Sequence, residues 1–236
     1  MRFDYYLDRT NLDFYLTQLG KEYRKLSHVP IQLIVVGGAA IFIKYSFRSM
    51  SLDLDAVFSP KHSDALKHAI KIVADKYDLP NGWINDDFIR TSSFSERITI
   101  YSEYYRTFSN VIEVRLIDSL HLIAMKLMSF RPYKRDLSDI IGIINEEKKK
   151  DHIITKDQII NGFNDLYPNK ALSNSATRFL ENIFDESINM DVFYKNIKVN
   201  ETVNKNLLAS KIEDNKTIVE KDTEELVDLI MKRMNK

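Results

Sequence analysis

Cysteine is absent from this 236-residue chain. That excludes a disulfide framework, a thiolate zinc site and a cysteine nucleophile together. Net charge is absent as well, because 34 Lys and Arg balance 34 Asp and Glu. A neutral chain exerts no global pull on nucleic acid, so any such site must be a local patch. No run of 18 apolar residues occurs, and nothing is expected to span a membrane. The first residues, MRFDYYLDRTNLDFYL, lack the basic-then-apolar order of a signal peptide, so a cytoplasmic protein is the expectation. His28, His62, His68, His121 and His152 show no HxxxH or HExxH spacing and do not indicate a histidine metal centre. No internal repeat is visible. Against these absences stands a hydrophobic content of 44%, enough for a sizeable core. The length allows one large domain, or one domain with a smaller companion.

Apolar spacing predicts an amphipathic helix from Leu12 to Leu26, stopped by Pro30. Ile31 to Val36 reads as a β-branched strand, turned by Gly37-Gly38 into a helix from Ala39 to Tyr45. Leu52 to Phe58 is the next expected strand, with Leu52, Leu54, Ala56 and Phe58 on its apolar face, and His62 to Tyr77 the next helix. Leu79 to Asp87 reads as loop, with Trp83 as its anchor ahead of a base-stacking role, and Asp86 and Asp87 either cap the next segment or lie near the site rim. Glu96 to Tyr101 and Val111 to Ile117 read as strands. Asp118 or Ser119 caps a helix from Leu120 to Phe130, and a further helix runs from Leu137 to Glu147. This order describes an α/β (α+β) unit over residues 1–150, with a small mixed sheet flanked by helices. A polar, helical C-terminal region, 151–236, comes after it. Within it Thr155 and Gln158 form a capping-box pattern for a helix to Leu166, and Ser173 or Ser175 caps another to about Phe184. Lys195 to Val219 is weakly patterned and reads as a loose or extended arm, before a short amphipathic helix from Glu224 to Met234.

The stretch LIVVGGAAIFIKYSFRSMSLDLDAVF, Leu33 to Phe58, concentrates the chemistry. Glycine tolerates positive φ and lets backbone approach a ligand, so Gly37-Gly38 is either a phosphate seat at a helix start or merely a tight strand-to-helix turn. It is neither a P-loop nor a dinucleotide fingerprint. Asp53 and Asp55 lie two apart on an expected strand and so share a face. Like charges so placed must be solvated, paired or metal-bound, and hard cations such as Mg²⁺ prefer oxygen ligands. Further on, Lys126 and Phe130 share a helix face, and Arg131, Lys134 and Arg135 form a local basic cluster. That cluster also has a plain reading as a solvated helix junction. Lys148 to Lys150 is a basic run at a helix C-terminus, suited to dipole compensation or to RNA backbone contact.

A glycine pair followed after about 15 residues by Asp-Leu-Asp resembles the first motif of nucleotidyltransferases of the DNA polymerase β superfamily. Arg48 ahead of SLDLD fits a pattern of one bacterial branch. HLIAMKLMSFRPYKRDLSDIIGII resembles the K-x4-R-x4-D-x2-D motif of AbiEii-like toxins and related bacterial proteins, here Lys126, Arg131, Asp136 and Asp139. The resemblance covers roughly Ile31 to Ile144. It implies that Gly37 and Gly38 seat a triphosphate and that Asp53 and Asp55 hold Mg²⁺. It implies too that Arg48, Lys126 and Arg131 meet phosphate, while Asp139 or Asp136 orients those cations or acts near the attacking hydroxyl. All these groups would surround one pocket. The sequence departs from the family in the third carboxylate. The only acid in the Val111 to Ile117 strand is Glu113, which shares a face with Arg115 and is either that carboxylate or a cross-strand ion-pair partner.

The expected activity is Mg²⁺-dependent transfer of a nucleoside monophosphate from an NTP to a hydroxyl. The acceptor could be RNA, a tRNA end first, or a protein or small molecule. A toxin–antitoxin or phage-defence setting, with a cognate antitoxin as partner, is implied by the resemblance alone. Two alternatives are a catalytically silent binding module of the same fold, holding a nucleotide or protein, and an antibiotic-modifying enzyme, for which no acidic pocket is evident.

Overall fold

The computed structural model describes residues 5–59 and 64–214, with side chains to 210. The expected helix start at His62 and the closing helix Glu224 to Met234 lie outside the described residues. The chain divides into two compact units, Met1–Leu122 and Ile123–Lys236. The expected domain boundary near residue 150 falls inside the second unit.

In the first unit β1 (Leu7–Asp8) precedes α1 (Leu12–Leu26), then come β2 (Ile31–Val35), α2 (Gly37–Lys44), β3 (Met50–Ser51), β4 (Leu54–Ser59), α3 (Asp64–Tyr77), β5 (Ile84–Asn85), β6 (Ser102–Phe108) and β7 (Ile112–Ile117). α4 (Ser119–Ser129) contains the unit boundary. Five strands form a mixed sheet in the order β5-β4-β2-β7-β6. β2 runs antiparallel to β4 and parallel to β7, while β1 and β3 make a separate two-stranded ribbon. The central strand has apolar neighbours on both sides and reads as a nearly continuous hydrophobic run, with Leu33, Ile34 and Val35 fully buried. α1 buries Leu12, Leu16, Leu19 and Tyr23, the period expected of a helix lying on a core. Trp83 is fully buried, donates its indole N–H to the Ile70 carbonyl at 3.2 Å, and packs edge-on against Tyr15. It is the loop anchor its position suggests.

Several local expectations are corrected. Gly37 and Gly38 are not a turn ahead of α2 but its first two residues. Asp53 lies in a bend just before β4 rather than within it, and Leu52 is 73% exposed, so Leu52 is no part of the apolar face. The segment Leu79 to Asp87 includes the short strand β5, which pairs in parallel with β4. Asp86 sits at the N-cap of a 3₁₀ turn, Asp87–Arg90, without capping it through its side chain. Glu96–Thr99 is a 3₁₀ turn, capped by Ser95, and the strand begins only at Ser102.

The second unit is helical over its described length: the end of α4, then α5 (Asp136–Lys149), α6 (Lys156–Leu166), α7 (Asn174–Ile183) and α8 (Met190–Asp214). Thr155 and Gln158 complete the reciprocal capping box that opens α6. Ser173 rather than Ser175 caps α7, accepting from the Ala176 N–H at 3.1 Å. Phe130, Phe163 and Phe179 contribute to the core, with the Phe130 and Phe179 rings edge to face at 5.6 Å. Of the segment expected as a loose arm, 215–219 lie outside the described residues, and Lys195 to Asp214 instead forms most of α8. Its buried stripe is Ile197, Glu201 and Asn204, at helical spacing but two-thirds polar.

Candidate functional site

β2 ends at Val35, and the chain turns at once into α2. Val36 donates its N–H to the Asp55 carbonyl at 2.9 Å, which pins the end of the central strand to β4 beside the acidic pair. Gly37 has φ +62°, a conformation that side chains with Cβ resist. A Cβ on Gly37 would also lie 3.1 Å from Asp55 Oδ2, so the missing side chain is what lets the carboxylate reach the start of the helix. Gly38 does the same for a cation. A Cβ there would collide with an Arg48 guanidinium nitrogen and lie 3.0 Å from Ser51 Oγ. Arg48 is steadied by its Nε–H donating to the Met50 carbonyl at 3.2 Å. Helix α2 thus begins with the Asp55 carboxylate close to its first residue and the Arg48 guanidinium close to its second. Exposed N–H groups and a planar guanidinium are two of the donor types that bind phosphate oxygens.

Asp53 and Asp55 are half-buried, while Leu54 between them is fully buried. The alternation places both acids away from the core even though Asp53 precedes the strand. Asp55 faces Asn85 across the β4–β5 pair. Among the described residues no group of three or more His, Asp or Glu side chains is arranged to hold a metal. Two carboxylates nevertheless suit Mg²⁺, which keeps several waters and is commonly bound by one or two carboxylates plus substrate phosphates.

Glu113 is elsewhere. It faces Gln32 in the β2–β7 register, whereas Leu116 faces Val35 at the strand end next to the glycine pair. Three residues of strand separate Glu113 from that end, about 10 Å at ~3.3 Å per residue. Its Oε1 accepts from Gln32 Nε2 at 3.0 Å and from Arg115 Nη1 at 3.2 Å. Its ion pair lies along its own strand with Arg115, and its cross-strand partner Gln32 is a neutral amide, so the expected cross-strand ion pair is not the one it makes.

Lys126, Arg131, Asp136 and Asp139 come together in the second unit. Lys126 Nζ donates to Asp136 Oδ1 and Asp139 Oδ2, each at 2.8 Å. Asp136 also accepts from Arg131 Nε at 2.8 Å, Arg131 Nη2 at 3.1 Å, the Arg131 N–H at 3.2 Å and Ser129 Oγ at 3.1 Å. Burial pulls the Lys126 ammonium down, but the two carboxylates outweigh it and hold it above the usual lysine range. Burial likewise pushes Asp136 up, and Lys126 and Arg131 overcome it, keeping the carboxylate well below the ordinary range. The plain reading as a solvated junction holds for Lys134 and Arg135, which are exposed, and fails for the Lys126–Asp136 pair, where Asp136 has no exposed surface. The Asp139 N–H donates to the Arg135 carbonyl at 2.8 Å, an ordinary backbone bond at the start of α5.

Glu201 carries no sequence signal of a site residue. From α8 it accepts the N–H groups of Leu137 and Ser138, at 3.0 and 3.1 Å, and the Ser138 hydroxyl at 2.6 Å. It caps α5 in place of Arg135, whose side chain makes no capping bond. Burial raises its carboxyl to about 7, against the opposing pull of the Ser138 bonds. No local pattern predicts a cap supplied from more than 60 positions away. Two histidines have local partners. His121 Nδ1 pairs with Asp118 at 2.7 Å and the ring stacks on Tyr101, while His152 approaches Glu147 at 3.3 Å. Lys149 and Lys150 pair with Glu146 and Glu147 in the last turn of α5.

Residues 15–148 match the model of a family described as "Nucleotidyltransferase of unknown function (DUF6036)". No curated protein and no solved structure matches the chain. No described helix is long and apolar enough to cross a membrane.

Proposed function

Because the chain belongs to this family of nucleotidyltransferases of unknown function, we propose that it moves a nucleoside monophosphate from an NTP to a hydroxyl acceptor and releases pyrophosphate. The observation that carries this reading is the start of α2. There Gly37 admits the Asp55 carboxylate, and Gly38 admits the Arg48 guanidinium, at a helix start that its N-cap residue Val36 does not cap through a side chain. In this reading the N–H groups and Arg48 bind phosphate oxygens, and Asp53 and Asp55 hold Mg²⁺. The ion, when bound, neutralises charge at the reacting phosphorus and templates in-line attack. In the second unit Lys126 and Arg131 are the cations proposed to meet phosphate, with Asp136 and Asp139 setting their orientation and Asp139 the candidate for work near the attacking hydroxyl. An ammonium has three donors, of which the two carboxylates take two.

RNA, with a tRNA 3′ end as first choice, is the proposed acceptor, ahead of a protein or a small molecule. The similarity of the second motif to AbiEii-like toxins supports a toxin–antitoxin or phage-defence role with an antitoxin partner. One observation favours a second reading, a silent nucleotide- or protein-binding module: Glu113 is engaged by Gln32 and Arg115 at the far end of its strand. Incubation with labelled NTPs, Mg²⁺ and total cellular RNA or protein separates the two. The enzyme labels an acceptor and loses this in Asp53→Asn with Asp55→Asn. The silent module binds Mg-NTP and labels nothing, and turnover unchanged in the double variant rejects the metal assignment.

A further inference from the structure

The ribbon of β1 and β3 leads into the site just described. Leu7 faces Ser51 and Asp8 faces Met50 in antiparallel register. Continuing that register by two residues sets Tyr5 opposite Asp53. The Tyr5 hydroxyl is buried and has no hydrogen-bond partner among the described residues. Native folds rarely leave such a group unsatisfied, because its hydration is lost without return. Burial, and after it the nearby Tyr15 and Asp53, raise the phenol far above its ordinary range. It therefore stays protonated and is available as a donor beside an acidic residue to which it makes no bond.

We propose that Tyr5 is a ligand-binding residue of the Asp53–Asp55 site, its hydroxyl donating a hydrogen bond to a phosphate oxygen of the bound metal–triphosphate. This rests on the functional reading above. A triphosphate held at Asp53 brings acceptor oxygens to a neutral donor that has none. Asp53, which would hold the cation, makes no bond to the hydroxyl, so a phosphate oxygen is the acceptor that the ligand would supply. A neutral donor also adds no charge to a place already shared by two carboxylates and Arg48.

Tyr5→Phe removes only the hydroxyl. Ligand-free thermal unfolding should leave Tm unchanged or raised, since an unpaired polar group has gone. Titration with Mg-NTP and with Mg-inorganic triphosphate should show both dissociation constants rising roughly five- to tenfold, the worth of one net hydrogen bond. A lowered Tm would mean that the hydroxyl already has a partner in the fold, and would overturn the proposal. Unchanged dissociation constants would overturn it too, as would weakening confined to the NTP, which places the contact on the nucleoside. If Asp53→Asn with Asp55→Asn abolishes binding while Tyr5→Phe does not, this proposal falls and the metal site stands. If the unaltered protein binds neither ligand, both fall.

Discussion

Replacing Asp136 by alanine should cost ~3 kcal/mol of folding stability, the low end of the range for breaking a buried ion pair. The carboxylate has no exposed surface and accepts from Lys126, Arg131 and Ser129 at 2.8–3.1 Å. Its loss strips Lys126 of one of two partners inside the protein. Asp139 remains at 2.8 Å and limits the damage. Arg131, whose side chain is 33% exposed, can turn to water. For a chain of this length the cost corresponds to a Tm lower by roughly 6–12 °C. Lys126→Met should be comparably harmful alone, and the double variant less harmful than the sum, by ~0.5–3 kcal/mol of coupling. Urea denaturation followed by far-ultraviolet circular dichroism measures all three. The pH dependence has a definite sign. Asp136 is depressed, so its contribution is present above the ordinary 3.8 and lost as pH falls below it. Lys126 is raised, so its contribution is present below 10.5 and lost as pH climbs through the elevated value. Single variants within ~1 kcal/mol of the unaltered protein, or strict additivity, would refute the buried pairing as a structural element.

Gly37→Ala should destabilise the first unit by ~1–2 kcal/mol through its positive φ alone, and the same urea titration checks it. It should also weaken Mg-NTP binding by displacing the Asp55 carboxylate. Glu201→Gln should flatten the stability profile between pH 4.5 and about 7, since the raised carboxyl gives stability below 4.5 that drains away as pH rises through about 7. The effect is up to ~3 kcal/mol, read as Tm against pH. An unaltered slope would remove Glu201 as the titrating group.

Much of the fold is legible in the sequence because its helices carry their stop and start signals locally. Leu12 to Leu26 shows an apolar stripe ended ahead of Pro30, and Thr155 with Gln158 announces α6. β6 is not legible because it is an edge strand. Only Ser102 and Phe108 are buried along it, and a register shift between Tyr104 and Arg106 breaks the alternation. α8 escapes detection because its inner face carries Glu201 and Asn204 where a hydrophobic pattern demands leucine or isoleucine. At the candidate site the residue types and their spacing are visible in the sequence itself. The bend that removes Asp53 from β4, and the nearness of Tyr5 to it, are tertiary facts without a local signature.

The cap that Glu201 places on α5 bears on where this protein can be cut. The segment matching the family stops at residue 148, yet the opening turn of α5 draws its acceptor from position 201, and the Pro132 carbonyl draws a donor from Asn204 at 3.2 Å. A fragment trimmed to the matched segment would expose two amides, a serine hydroxyl and a carbonyl that the intact chain satisfies from its later part. The stretch recognisable as a module is therefore shorter than the stretch that can stand alone.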